Sequence, residues 1–126
     1  MKNTNLIVGF IQAALSVALG AFGAHSFHDF LLAANRIDTF ETAAKYQMYG
    51  AFALILVGIW QNQMSNKIIR RGSRLLIAGS IIFPASLYLI CLTGQTFWGA
   101  IAPIGGLSYI LGFSFMAYAA WLASKN

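Results

Sequence analysis

Residues 40–50 read FETAAKYQMYG, and residues 51–60 continue as AFALILVGIW. A Glu and a Lys four apart run into a stretch without charge, and how that junction is read decides the fold. A helix crossing a bilayer needs about 20 apolar residues at about 1.5 Å rise each. The uncharged part, 46–61, is shorter than that. The preceding segment can supply the difference. Asp38-Thr39-Phe40-Glu41 has the spacing of a capping box, with Asp38 as N-cap and Glu41 at N3. Glu41 precedes Lys45 by four, the favourable order for a helical ion pair worth a few tenths of a kcal/mol. The pattern predicts a helix that starts near Thr39 in the headgroup layer, with Tyr46 and Tyr49 in the aromatic belt and the apolar part in lipid.

Three further apolar stretches, roughly 6–24, 75–92 and 98–123, are close to or above spanning length. The chain of 126 residues is 59% hydrophobic and 9% charged, with mean hydropathy +0.70. Soluble domains carry about 25% charged residues, so too few charges remain here to coat a water-facing surface. The expected fold is all-α: an integral-membrane four-helix bundle forming one transmembrane domain over 1–126. Its spans are read at 6–24, 40–61, 75–92 and 98–123. FHDFLLAANRI (27–37) is apolar at helical spacing and is read as an interfacial helix. The first apolar run is longer than the usual core of a cleaved leader, and it is read as a span.

The net charge of +5 is distributed by side. Lys67, Arg70, Arg71 and Arg74 are read as a cluster in the loop between the second and third spans, and Lys2 and Lys125 lie at the ends. With four spans, all six share one side, which the positive-inside rule makes cytoplasmic. The other side has Arg36 and Lys45 against Asp29, Asp38 and Glu41. Both termini are therefore expected in the cytoplasm of a multi-pass bacterial plasma (inner) membrane protein. The basic excess signals topology and membrane lipids rather than nucleic acid, and anionic lipid is the expected phosphate partner of SNKIIRRGSR. Cys91 is the single cysteine and has no internal disulfide partner.

Small residues mark packing faces, as helices in lipid associate through close approach. Ser16, Gly20 and Ala24 lie four apart with Gly23 beside them, Gly50 and Gly58 share a face, and Ser108 and Gly112 follow in the last span. One such seam turned outward would give a homo-oligomer or a larger membrane complex. Pro84 sits inside the third span. The carbonyl it frees needs a donor from Ser80 or a neighbouring helix. Pro103 with Gly105 and Gly106 reads either as a broken helix start of the kind that lines transporter sites, or as a first-turn proline with glycines for tight contact; the second is favoured.

No charged residue lies inside the four cores, which argues against proton-coupled transport. The buried polar groups are mild, and Gln12, deep in the first span, stands out among them. His25, His28 and Asp29 fall at i, i+3 and i+4, with Glu41 and Lys45 at the same depth. They offer a metal site or an acid–base pair of His25 and Glu41. Capping and loop hydrogen bonds are the preferred reading. Both histidines lie in one segment, unlike haem ligands from facing helices. No nucleotide loop, nucleophile elbow or cysteine metal motif occurs, and no cofactor is expected.

LGAFGAH (19–25), YQMY (46–49), SLYLICLTG (86–94) and GAIAPIGGLSYILG (99–112) together resemble the YgdD/YwdK-type family of small bacterial inner-membrane proteins, the domain-of-unknown-function 423 family, to which eukaryotic transmembrane protein 256 is related. The resemblance runs nearly the whole chain in order. It implies a four-helix plasma-membrane protein and no known activity. It also implies a histidine after the YQxY segment, where this chain has Gly50, and a threonine before the proline, where it has Ala102. A histidine pair from the first two spans would be half lost here. The candidate positions, structural or ligand-holding, are Gly20, Gly23, His25, Glu41, Tyr46, Gln47, Ser86, Tyr88, Pro103, Gly105 and Gly106. The expected function is non-enzymatic: an accessory, scaffolding or lipid-associated helical bundle. The alternatives are a small oligomeric channel or transporter for a neutral or weakly polar solute, and a membrane enzyme or metal protein using His25, His28, Asp29 and Glu41.

Overall fold

A computed structural model of the chain describes residues 3–125; Lys2, one of the expected topology markers, lies outside them. Among the described residues there are five α-helices and no strand. They are α1 (Thr4–Ala24), α2 (His28–Ala34), α3 (Ile37–Gln61), α4 (Lys67–Thr93) and α5 (Ala102–Ser124), with a short 3₁₀ helix over Thr96–Ala100.

The buried positions repeat with a period near 3.5. In α1 they are Asn5, Gly9, Gln12, Ser16 and Gly23. In α3 they include Phe40, Ala43, Gln47, Gly50, Leu54 and Val57. In α5 they include Ala102, Gly105, Tyr109, Gly112 and Ala119. That period keeps one seam of a helix against its neighbour in left-handed packing. The seam of α1 is made of amides, a hydroxyl and glycines, while Phe10, Leu15 and Val17 on its other faces are exposed. This is the inverse of a water-soluble helix and suits an apolar surround.

Consecutive long helices run antiparallel. Leu6 of α1 meets Gly58 of α3, and Phe40 of α3 meets Gly23 of α1. Phe115 and Met116 of α5 meet Gly72 of α4, while Phe83 of α4 meets Gly105 of α5. The principal packing pairs are α1 with α3, α3 with α4, and α4 with α5. α1 and α5 are the flanks and scarcely touch one another. Leu54, Val57, Ile69, Leu76, Tyr109 and Ala119 form the larger core cluster. A second cluster of Leu31, Phe40 and Cys91 ties α2 beneath the end of α1. Phe30 and Leu32 of α2 stay exposed.

By length and composition, three helical stretches could cross a membrane: Thr4–Ala24, Lys67–Thr93 and Thr96–Ser124. α3 is long enough at 25 residues but is not among them. Asp38, Glu41, Lys45 and Gln47 in its first half dilute the apolar run that follows.

Several local expectations are corrected. α3 begins at Ile37 with Arg36 as N-cap and no side-chain cap. The capping box of Asp38 and Glu41 does not form, because Asp38 already lies in the first helical turn. There its carboxylate still faces the positive end of the helix dipole. Glu41 and Lys45 are both exposed and form no ion pair. The basic residues from Lys67 to Arg74 occupy the first two turns of α4 rather than a loop, where Asn66 caps the helix by accepting from the Ile69 N–H at 3.0 Å. The last helix starts at Ala102, not at residue 98, and the residues before it form the 3₁₀ turn.

Candidate functional site

A single hydrogen-bonded chain crosses three helices at mid-length. It starts on α4, where the Tyr88 hydroxyl donates to Gln47 Oε1 of α3 at 2.8 Å. Gln47 Nε2 donates to Gln12 Oε1 of α1 at 2.9 Å. Gln12 Nε2 then donates back to α4, to the backbone oxygen and the hydroxyl of Ser80, each at 3.2 Å. The Ser80 hydroxyl donates to Ile77 O at 2.9 Å. Gln12 and Gln47 are 6% and 5% exposed and Ser80 1%, so water cannot substitute for these partners.

Pro84 explains why the chain ends where it does. A proline has no N–H, so the carbonyl four residues earlier loses its helical partner. That carbonyl is Ser80 O, and the amide of Gln12 takes the missing role from the neighbouring helix. α4 continues through Pro84 without a break. Each interhelical hydrogen bond in a membrane protein is worth about 0.6 kcal/mol on average. Their larger effect is on register, since a shifted helix would strand polar groups in a dry interior. Ser16 adds a further link, its hydroxyl donating to Ala44 O at 2.7 Å.

The opposite face of α3 and α4 is aromatic. The Tyr109 hydroxyl of α5 donates to Tyr46 O, and the rings of Tyr46, Phe83 and Tyr109 stand edge to face. Gly50 makes room for this. A Cβ there would run into the Tyr109 hydroxyl and come within 2.6 Å of Ser80 Cβ. At the position where the resemblance implies a histidine, this chain seats a tyrosine from α5. Gly105 meets Phe83 backbone, where a Cβ would sit 2.5 Å from the Phe83 nitrogen. Gly106 lies over the Phe83 ring at a looser distance. Pro103 occupies the first turn of α5, and Ser86 donates to Phe83 O at 2.8 Å within its own helix.

The rim near α2 is different. Gly20 and Gly23 line a cleft of about 490 Å³ between α1 and α3, with His28, Glu41 and Lys45 on its walls. Gly23 is filled by the Phe40 ring, while Gly20 faces only Ala44. His25 is exposed and ends α1 through its backbone N–H, which donates to Ala21 O at 3.1 Å. Among the described residues, no group of three His, Cys, Asp or Glu side chains is gathered to hold a metal ion. Gln47 and Tyr88 are thus brought together with Gln12 and Ser80, which lie outside the quoted motifs, and Tyr46 with Tyr109, which lies inside one, while the His25 and Glu41 side chains are not drawn into any network. Ser80 was singled out beside Pro84, but not Gln12 as its partner, and Tyr109 was not singled out at all. The 3.5-residue spacing of Asn5, Gly9, Gln12 and Ser16 is the signal that marks the α1 seam in advance.

The arrangement joins neutral amides, hydroxyls and carbonyls. None of these is a nucleophile poised beside a base. The chain of donors is consumed in holding α1, α3 and α4 together.

Comparison with known proteins bears on identity. The model of a family described as protein of unknown function (DUF423) matches residues 19–106. A UPF0382 membrane protein of Staphylococcus epidermidis is 37% identical over 108 residues, covering 86% of this chain and 87% of its own. The UPF0382 membrane protein YwdK of Bacillus subtilis is 33% identical over 116 residues, covering 91% of this chain and 94% of its own. No solved structure matches. With motifs, order and length all in agreement, the chain belongs to the DUF423 family of bacterial membrane proteins.

Proposed function

We propose that this protein crosses the bacterial plasma membrane four times, with both termini in the cytoplasm, and acts by packing rather than by catalysis, as an accessory or scaffolding subunit. The observation that carries this reading is the Gln12–Gln47–Tyr88–Ser80 chain, in which the mid-depth polar groups satisfy one another. α3 serves as the fourth span. Its most polar side chain in the run, Gln47, is buried against α1 and α4, so lipid does not meet it. Four antiparallel passes gather Lys67, Arg70, Arg71, Arg74 and Lys125 at one end and all three acidic residues at the other, as the positive-inside rule requires.

The surface offered to a partner, a second copy or another membrane subunit, is on the flanks. Phe10 and Val17 of α1 and Ile104 and Ile110 of α5 are each nearly two-thirds exposed (61%, 63%, 62% and 64%). The channel reading has less support, because α5 runs unbroken through Pro103, Gly105 and Gly106.

Photo-crosslinking groups placed at Phe10, Val17, Ile104 and Ile110 in living cells test the proposal. A discrete protein adduct from at least one flank is expected. Monomer alone at all four positions would sink the packing reading. A C-terminal reporter active only outside the cytoplasm should stay silent, and activity there would overturn the orientation.

A further inference from the structure

Along the outside of the molecule, α1 and α4 leave a groove with two consecutive parts. One part lies where α1 starts, α3 ends and α4 begins. It is a polar pocket of about 390 Å³ lined by Asn5, Gln61, Asn62, Arg70, Ser73 and Arg74, among others. One turn further along the same two helices is a mainly apolar cleft of about 350 Å³, walled by Val8, Ile11, Leu15, Ile81, Pro84 and Ala85, with the mutually bonded Gln12–Gln47–Tyr88–Ser80 chain also lining it. The groove exists because α1 packs chiefly on α3 and barely on α4.

The polar pocket has a built floor. Asn5 and Ser73 are 6% and 5% exposed. Asn5 Nδ2 donates to Gln61 Oε1 at 2.6 Å, which occupies the acceptor end of Gln61 and leaves its NH₂ as a donor. Ser73 is fixed by donating to Arg70 O at 2.9 Å. Arg70 and Arg74 stand one turn apart on one face of α4.

The charges at this end have no answer within the protein. Lys67, Arg70, Arg71 and Arg74 lie within eight residues, while Asp29, Asp38 and Glu41 are the chain's only acidic residues and belong to the opposite end. None of the four makes an ion pair among the described residues. They also sit on the first turns of α4, where the helix dipole is itself positive and disfavours cations. An anion in the pocket would relieve both repulsions, and guanidinium pairs are suited to phosphate oxygens.

We propose that the α1–α4 groove is a binding site for an anionic phospholipid, with its phosphate held between Arg70 and Arg74 and an acyl chain laid in the apolar cleft. A free phosphate would use the first part only. The continuity of the apolar cleft below it is what selects the lipid. The site goes beyond the packing role and stands whether or not a protein partner is found.

Native mass spectrometry of the full-length protein, titrated in detergent with phosphatidylglycerol, phosphatidylcholine or inorganic phosphate, tests it. Phosphatidylglycerol should bind in preference to phosphatidylcholine. Arg70→Gln with Arg74→Gln should weaken it by about 30-fold. Lys67→Gln with Arg71→Gln removes equal charge from the same turns outside the pocket, and should weaken it by about threefold or less. Melting temperatures in lipid-free detergent should not fall with either pair, since removing uncompensated cations from the first turns of α4 relieves repulsion. Ala85→Phe, which fills the cleft without altering charge, should also lower affinity for the lipid. Equal binding of phosphatidylcholine, equal losses from the two pairs, displacement of the lipid by inorganic phosphate at matching concentration, or indifference to Ala85→Phe would each overturn the assignment.

Discussion

α4 has two seams of opposite character. Toward α1 and α3 it is joined by hydrogen bonds, through Tyr88 to Gln47 and through Ser80 to Gln12. Toward α5 it is joined mostly by the absence of side chains, with Gly72 and Gly79 on one helix and Gly105 and Gly112 on the other, all in close contact. Glycine seams let backbones approach and maximise dispersion contacts, which are strong in sum but tolerate little change. Polar seams specify which residue faces which. The difference teaches that one side of α4 is fixed by shape and the other by pairing, and the two should fail differently.

The glycine seam should break first and hardest. A Cβ at Gly105 would lie 2.5 Å from the Phe83 nitrogen and 2.8 Å from its Cα. Backbone cannot move aside as a side-chain tip can. Gly105→Leu is expected to cost about 3 kcal/mol or more, with loss of cooperative thermal unfolding in detergent. A Gly105→Leu protein that melts like the parent would show that α4 and α5 are not in backbone contact.

The polar seam should yield by a smaller, recoverable amount. Gln12→Leu leaves Ser80 O and Gln47 Nε2 without those partners, at about 1–3 kcal/mol. Pro84→Ala restores an N–H that can bond Ser80 O within α4. The two changes should therefore couple: Pro84→Ala should recover about 1 kcal/mol in the Gln12→Leu background and much less alone. Strictly additive effects in unfolding measurements would mean that Gln12 does not stand in for the bond that Pro84 removes.

How much of this could be read from the sequence follows the same division. The helices and their approximate ends were legible because long apolar runs need backbone bonds closed within themselves. The need for a donor near Pro84 was legible because it follows from the missing N–H. Which donor supplied it was not, since Gln12 lies 68 residues away and the match depends on how far α1 slides against α4. Gly50 likewise signalled close approach without revealing that Tyr109 fills the space. The capping box at Asp38 misled because its spacing also fits the second position of a helix that starts two residues earlier. Spacing along one helix fixes a face. Partner and register come from packing that local sequence does not encode.

The smallest effect belongs to the rim, where the sequence pointed most readily to chemistry. His25 is exposed, and its contribution to ending α1 comes from its backbone N–H, which any residue but proline supplies. Glu41 and Lys45 are exposed and unpaired with one another. His25→Ala, Glu41→Gln and Lys45→Gln should each change stability by less than about 0.5 kcal/mol. They should leave the helix pairing intact, because none of those side chains hydrogen-bonds to the polar seam. A larger loss at His25, or a bound metal ion that disappears with it on elemental analysis, would move the centre of function from the buried seams to the cleft beside α2. An unchanged protein would leave the Gln12–Gln47–Tyr88 chain as the feature that sets this fold apart from greasy helices of equal length, since it ties α1, α3 and α4 together in one register.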